Sequence, residues 1–401
     1  MIIDITRRMF LVLTCVVLAI SSAPVFTAEW EKVESVDALA RELGVWDETD
    51  GPRVRVHLRR AGGVWVDPRS GDVYVMIAGR PIFRSTDQGE TWRQWGPDWL
   101  TGQTNMATGI GIHHPYRGRM LLFRKHGVSG LTLDDGETWQ RLPNELVHGD
   151  TDWESDVPSV FISHGDHGAN NMSIDGGETW HRNGTIGRTG NIGFFHLGLI
   201  DGETMLVASG ARGRDAVRVD LVTGTIDDQP VTVTPREIEN RELAVTDAQH
   251  HSFQGIYTTT NILGPWDYAG DFTKISDLTP IAPNPIHWDN GRMYWAGVEG
   301  LLVSDDGLEW RVHSDGVKNV LWVMFGTTEQ DILVVDRSKT PFLTSDGGKT
   351  WRQVAPAFDI RHRFGVSAFG WDPINRLIYV SQLAGSLYRI RYEAELATPP
   401  G

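Results

Sequence analysis

The phrase Ser85-Thr86-Asp87-Gln88-Gly89-Glu90-Thr91-Trp92 recurs along this 401-residue chain. It returns as Thr132-Leu133-Asp134-Asp135-Gly136-Glu137-Thr138-Trp139, as Ser173-Ile174-Asp175-Gly176-Gly177-Glu178-Thr179-Trp180, and as Thr344-Ser345-Asp346-Gly347-Gly348-Lys349-Thr350-Trp351. A worn copy stands at Val303-Ser304-Asp305-Asp306-Gly307-Leu308-Glu309-Trp310. A period of roughly 40–45 residues with several strands per unit predicts a β-propeller, a ring of four-stranded blades. Each position has a physical reason. The Asp carboxylate accepts hydrogen bonds from its own turn. The Gly supplies a positive φ. The Ser or Thr hydroxyl ties the hairpin arms, and the Trp offers a large apolar face to the next blade. Calcium would need more oxygen ligands than one such turn supplies, so these Asp residues read as structural.

These phrases resemble the Asp-box (BNR) repeats of the sialidase-like superfamily, whose relatives include sialidases, other glycoside hydrolases, sorting receptors and photosystem assembly factors. The resemblance implies the fold and is weak for function. It would imply, for a sialidase, an arginine triad on a substrate carboxylate, a Tyr nucleophile paired with Glu, and an Asp acid/base. This sequence departs from that pattern. The Phe/Tyr-Arg-Ile-Pro signature is absent, and Arg80-Pro81-Ile82 only scrambles it. Tyr74, Tyr257, Tyr294, Tyr379 and Tyr388 all fall in predicted strands, and sialidases in the strict sense have six blades.

The boxes also set the domain organisation. Between Asp175 and Asp305 the gap is about three periods, so two units have lost the motif. One is expected over 193–225, the other over 242–271. A last unit (Val366 to Ile390) lacks its final strand, which Arg53-Val54-Arg55-Val56-His57-Leu58 could supply, joining the ends of the ring and removing open edges. This gives a single all-β propeller over residues 53–392, with eight blades favoured and seven the alternative. Residues 29–52 are expected to form a cap, with helical spacing from Val36 to Leu43. Residues 393–401 are a tail. Residues 1–28 read as an export signal: Arg7 and Arg8 precede the apolar run Met9 to Ile20, and small residues follow. The run is too short for a spanning helix. Thr6-Arg7-Arg8-Met9-Phe10-Leu11 fits a twin-arginine signal as well as an ordinary secretory one. The expected location is therefore periplasmic or extracellular. The chain has 1 cysteine, Cys15, inside that run, so no disulfide is expected in the mature protein.

Lettering the strands of a blade A to D from the axis outward, the A–B turns and the Asp boxes (C–D turns) share one face. The longer B–C and D–A loops share the other, around the channel mouth, where function is expected. The B–C loops contribute Arg80, then Arg124, Lys125 and His126, then His164, Asp166 and His167. Next come Arg212 and Arg214, then Gln249, His250 and His251, then Glu299, and Arg337 with Lys339. The D–A loops are expected to add Asn105, Asp150, Asp152, Glu154, Asp156, Arg188, Asn191, Asp277, Arg361, His362 and Arg363, with Trp153 inside the acidic stretch. On a chain of net charge −15, such a gathering of cations and imidazoles points to an anionic ligand, a sugar bearing carboxylate or sulfate. The same net charge argues against a nucleic-acid partner. A monomer is expected.

Three chemistries fit. A two-carboxylate glycoside hydrolase would use Asp152, Glu154 and Glu299, with Trp153 stacking on a sugar. It is slightly favoured. β-Elimination from a uronate would use a cation on the carboxylate and a base among His126, His167 and His250. A binding or assembly propeller would show a broad, shallow surface without a perturbed pair. Arg80, Arg124, His164, Arg212, His251, Arg337 and Arg363 are the expected substrate contacts. No cofactor is expected, although a divalent metal could sit at His164/His167 or at His250/His251.

Overall fold

The computed structural model describes residues 26, 28–45, 61–102, 112–114, 119–122, 127–142, 146–151, 161–165, 170–183, 194–200, 203–210, 219–226, 229–233, 244–251, 253–259, 267–271, 286–287, 292–305, 309–359, 366–382 and 386–393. Over 194–271 only the backbone is described.

The chain opens with β1 (Glu31–Lys32) and α1 (Glu34–Glu42). The first blade is β2 (Ala61–Val66), β3 (Val73–Ile77), β4 (Ile82–Ser85) and β5 (Arg93–Gln94). The second is β6 (Ile112–His114), β7 (Arg119–Leu122), β8 (Gly130–Thr132) and β9 (Gln140–Arg141); the third is β10 (Leu146–Thr151), β11 (Phe161–Gly165), β12 (Asn170–Ser173) and β13 (His181–Asn183). The fourth begins with β14 (Phe194–Ile200) and β15 (Glu203–Gly210). An inserted sheet follows: β16 (Val219–Ile226), β17 (Gln229–Val233) and β18 (Ala244–His251). The blade resumes with β19 (Phe253–Thr259) and β20 (Asp267–Asp271). The fifth is β21 (Ile286–His287), β22 (Met293–Ala296), β23 (Leu301–Ser304) and β24 (Arg311–Ser314). The sixth is β25 (Val320–Phe325), β26 (Ile332–Asp336), β27 (Pro341–Thr344) and β28 (Arg352–Gln353). The last contains β29 (Val366–Asp372), β30 (Leu377–Gln382) and β31 (Leu387–Arg391), and β1 completes it. First strands of neighbouring blades touch (β2 with β29, β25 with β29, β10 with β14), which puts the first strands at the axis. The fold is a β-propeller.

Two expectations change. Among the described residues there are seven four-stranded sheets and one three-stranded sheet, so the favoured count of eight gives way to its alternative. The units expected over 193–225 and 242–271 are one blade with an insertion between its second and third strands. β15 pairs with β19 directly, Gly210 opposite Phe253, and the excursion between them pairs as β17-β16-β18. The closing strand is β1, with Glu31 opposite Arg389 and Lys32 opposite Tyr388. Residues 53–58, the expected closing segment, lie outside the described residues. The equivalence of β1 to the other outer strands is visible in one hydrogen bond. Val33 N donates to Leu387 O at 2.8 Å, as Trp95 N does to Ile82 O at 2.9 Å and Val354 N to Pro341 O at 3.1 Å.

The helix expected over Val36 to Leu43 is α1. Its buried Val36 and Ala40 are at 0 % exposure, and Val36 packs with Val33, Val64, Val75 and Tyr379, spanning the last and first blades. Trp30 donates to Pro356 O at 3.1 Å and meets Phe358 edge-on at 5.2 Å. Among the described residues no helix is long and apolar enough to cross a membrane.

The Asp boxes fold as the sequence predicts. In the first, Ser85 Oγ donates to Asp87 Oδ1 at 2.7 Å and accepts from Gly89 N at 2.7 Å; Thr91 donates its N–H (2.9 Å) and Oγ1–H (2.6 Å) to the Asp87 carboxylate. Asp134, Asp175 and Asp346 repeat this scheme. In the worn copy Glu309 replaces the Thr, and Asp305 instead accepts from Arg292 Nε at 2.9 Å and Arg311 Nη2 at 2.8 Å. The tryptophans pack against the preceding blade, not the next. Trp139 of the second blade meets Trp95 of the first at 5.1 Å, and Trp351 of the sixth donates to Ser314 Oγ of the fifth at 2.7 Å.

These bonds favour the ionised carboxylate. Burial pulls Asp87 up, and the Thr91 and Ser85 hydrogen bonds overcome it, lowering the group to about 2. The Thr179 hydroxyl and amide lower Asp175 to about 2, and Thr138 and Thr350 lower Asp134 and Asp346. A depressed folded value means that the stabilisation is complete above the unfolded value, about 3.9, and is lost as pH falls through the folded one. The melting temperature, followed by circular dichroism, is therefore expected to fall between about pH 4 and about pH 2. The fall should be shallower in an Asp87→Asn variant, which has given up its share.

Candidate functional site

Backbone hydrogen bonds show which connections share a face. Gly79 N, between β3 and β4, donates to Gly102 O of the connection to the second blade, and Val128 N, between β7 and β8, donates to Thr101 O. Asn319 N and Val320 N, entering the sixth blade, donate to Val298 O (2.9 Å) and Gly297 O (3.0 Å) between β22 and β23. Phe358 N, leaving the sixth blade, donates to Lys339 O between β26 and β27. The B–C and D–A connections therefore frame one mouth, as expected.

The best-described part of that mouth lies where the fifth and sixth blades meet. Glu299 sits in the turn closed by Gly297 N to Gly300 O at 2.9 Å. Gly300 has φ +137, and a Cβ there would stand 2.2 Å from Ser314 O, so this position requires glycine. Lys318 Nζ donates to Glu299 O at 3.0 Å and to Asp315 Oδ2 at 3.4 Å. Beside them, Asp336 organises the next turn. Its carboxylate accepts from Ser338 Oγ at 2.7 Å and Thr340 N at 2.9 Å, while Lys339 takes φ +69. This fixed turn leaves Arg337 exposed and Lys339 half-buried. Among the described residues, neither cation has a side-chain partner. Val320 is the register partner of Asp336 and Trp322 that of Val335, so the turn sits at the head of the innermost strand. In that strand Leu321, Trp322, Val323 and Met324 are all half-buried. The fold thus sets the turn of Glu299 and the turn of Arg337 and Lys339 on adjacent blades, with Lys318 and Trp322 on the chain between them. Sequence reasoning missed these two because Lys318 lies in a short Asp-Gly-Val-Lys connection, and Trp322 in an apolar run that reads as core.

The other expected residues have different positions. Arg80 lies in the first B–C turn, and its Nη2 donates to Leu43 O at 2.7 Å, tying that turn to the C-terminus of α1. An arginine suits that end of a helix. Arg124 and His126, between β7 and β8, and His167, between β11 and β12, lie outside the described residues. So do Arg212, in the excursion between β15 and β16, and Arg363, before β29. His164 is a β11 residue opposite His148 and Asn170. His250 and His251 end β18, opposite Asp220 and Val219, next to the point where the excursion rejoins the blade at Phe253.

The acidic loop is a correction. Asp150 belongs to β10, and Asp152, Trp153 and Glu154 follow it in the A–B connection of the third blade, not in a D–A connection. Thr151 pairs with Phe161, and Phe161 with Ser173, the first residue of that blade's Asp box. β10 therefore ends, and β11 begins, at the Asp-box end of the blade; Asp152, Trp153 and Glu154 fall between them in the chain and lie outside the described residues. The polar strand Leu146-Val147-His148-Gly149-Asp150-Thr151 carries too little apolar alternation to announce itself. Among the described residues no group of three or more His, Cys, Asp or Glu could hold a metal. The side chains of His164, His167, His250 and His251 are not among them.

No family model matches this chain, and no curated protein matches it. Solved structures do. YCF48 bound to D1 peptide is similar with 13 % identity and a TM-score of 0.42, over 85 % of this chain and 94 % of that one. The GH74 enzyme of Niastella koreensis is similar with 13 % identity and a TM-score of 0.30, over 82 % of this chain and 65 % of its own. The C-terminal WD40 domain of Sif2 is similar with 10 % identity and a TM-score of 0.41, over 84 % and 82 %. Likenesses this distant convey neither substrate nor partner.

Proposed function

We propose that this chain takes an acidic glycan at the mouth framed by its B–C and D–A connections, and cleaves it outside the cytoplasm after export by the leader at residues 1–28. The observation that carries the reading is the fixed turn presenting Arg337 and Lys339 beside Glu299 and Lys318, on a chain of net charge −15. Convergent cations over partly apolar walls suit a ligand with a carboxylate or sulfate on a sugar frame.

Elimination is the reading put forward, since it needs a cation on the uronate carboxylate and Arg337 and Lys339 supply cations at the mouth. Hydrolysis needs two carboxylates flanking one bond; its candidates Asp152 and Glu154 lie outside the described residues, and Glu299 is described at the mouth. The candidate bases are His126, between β7 and β8, His167, between β11 and β12, and His250, at the end of β18. In elimination a cation neutralises the uronate carboxylate, a base takes the proton from the adjacent ring carbon, and its electron pair forms the double bond. The glycosidic oxygen leaves from the next carbon and takes up a proton. The test is incubation with polyuronates and sulfated glycans, following reducing ends and the ultraviolet absorbance of an unsaturated uronate. Both signals together are the expected result. Reducing ends without absorbance would restore hydrolysis, and binding without either would make the protein a lectin-like propeller. Arg337→Gln is expected to weaken substrate capture by about tenfold, since one charged hydrogen-bonding partner is lost.

A further inference from the structure

The geometry points to Trp322 as an aromatic platform under the ligand, and hence to a cyclic sugar acid with an apolar ring face, not a simple polyanion. The inference rests on the acidic-glycan reading and deepens it.

First strands of propeller blades normally bury their side chains against both neighbours. Val64 and Val66 of β2, and Phe369 and Trp371 of β29, are all buried. β25 differs: its ends Val320 and Phe325 are buried, and the four residues between them are half-exposed. Among the described residues no other first strand has such a run. Trp322 is the largest of the four. Its ring meets Phe369 at 5.0 Å with an interplanar angle of 60°, and it packs on the cluster containing Leu333, Val335 and Val380. One side of the indole is thus fixed by the last blade while part of it stays open to solvent, which pre-organises the open part at little entropic cost.

Trp322 pairs with Val335, and the turn Asp336 to Thr340 that presents Arg337 and Lys339 begins at the next residue. A ligand at this point meets positive charge at the rim and apolar surface one step down the strand. Phosphate or polyphosphate satisfies the first and leaves the indole wet. A neutral sugar satisfies the second and leaves the cations unanswered. A pyranose acid satisfies both, because its C–H face can lie on an aromatic ring while its carboxylate reaches a guanidinium.

Titration calorimetry on the full chain distinguishes these cases, with an oligogalacturonate, a neutral oligosaccharide of the same length and inorganic polyphosphate as probes. The oligogalacturonate is expected to bind at least about tenfold more tightly than the other two. Trp322→Leu should lose about tenfold of that affinity, and Trp322→Phe, which keeps a ring in the same packing, should lose less. Should Trp322→Leu fail to fold, the indole N–H signal of Trp322, assigned by its absence in Trp322→Phe, gives the same answer. It should shift with oligogalacturonate and not with polyphosphate. Unchanged affinity in folded Trp322→Leu with loss in Arg337→Gln would overturn the platform and leave the acidic-glycan reading standing. Equal binding of polyphosphate, with a silent indole, would reduce the site to a plain anion patch and also overturn it. Failure of the uronate to bind at all would sink the glycan reading itself.

Discussion

Deleting residues 29–45 is expected to abolish cooperative unfolding of the propeller. The segment gives the last blade its outer strand and then packs α1 across the last and first blades. Val33, Val36 and Ala40 are 4, 0 and 0 % exposed, and Leu39, Leu43 and Trp30 are partly buried against the same blades. At about 1.5–3 kcal/mol for each large apolar side chain, the loss comes to about 5 kcal/mol or more. That is comparable to the whole stability of an ordinary domain. Polar contacts add to it. Asp37, fully buried, accepts from Ser386 Oγ at 2.9 Å and pairs with Lys32 Nζ at 2.5 Å. Asp37→Ala alone should cost about 1–3 kcal/mol, less than a fully buried pair because Lys32 remains partly solvated. Calorimetry of the deletion, of Asp37→Ala and of an exposed control, Glu42→Ala, gives the ranking. A deletion that melts within a degree or two of the parent would mean that β1 does not close the ring.

Gly136→Ala is expected to be far more harmful than Gly176→Ala, although both lie in Asp boxes and both have positive φ. At Gly136 φ is +85 and a new Cβ would lie 2.2 Å from Trp95 Cζ2. Trp95, half-buried, is held between Tyr74 at 4.7 Å and Trp139 at 5.1 Å, which limits its retreat. Left-handed strain of about 1–2 kcal/mol combines with overpacking of about 1–3 kcal/mol. At Gly176 φ is +72 and nothing lies within 4 Å, so only the strain applies. The equivalent position holds Gln88 at φ 64 and Asp135 at φ 56, which shows that side chains are tolerated there. Gly176→Asn should cost less still, because Asn accepts this conformation more readily. Chemical denaturation with a common slope would test the order. Equal losses at 136 and 176 would mean that the box glycine does not seat on the preceding blade.

The boxes were legible because their chemistry is local. Ser or Thr, Asp, Gly and Thr bond to one another within a single turn, so residue type alone predicts Asp87, Asp134, Asp175 and Asp346 in their places. What was not legible is long-range pairing. A closing strand of two residues, Glu31–Lys32, is too short to show alternation, whereas Arg53 to Leu58 shows it plainly. The fourth blade has no box, and nothing in Val219 to Ile226 says that it pairs away from Glu203–Gly210 instead of beside it. Within the mouth, Arg337, Lys339 and Glu299 were readable as loop cations and a loop acid. Trp322 was not, because an apolar run in a first strand reads as fully buried core, and its partial exposure is set by tertiary packing.

The direct pairing of Gly210 with Phe253 makes everything between them optional to the ring. Both ends of that excursion leave from one rung of the ladder, so its length and sequence exert no leverage on the spacing of the blades. A short turn such as the one from Ala78 to Pro81 does the same joining elsewhere. Lengthening a loop costs little once its ends are held, about 0.6 kcal/mol per doubling. The fourth blade is therefore a socket. Selection, or an engineer, can exchange the inserted sheet it carries while the wheel beneath is left alone.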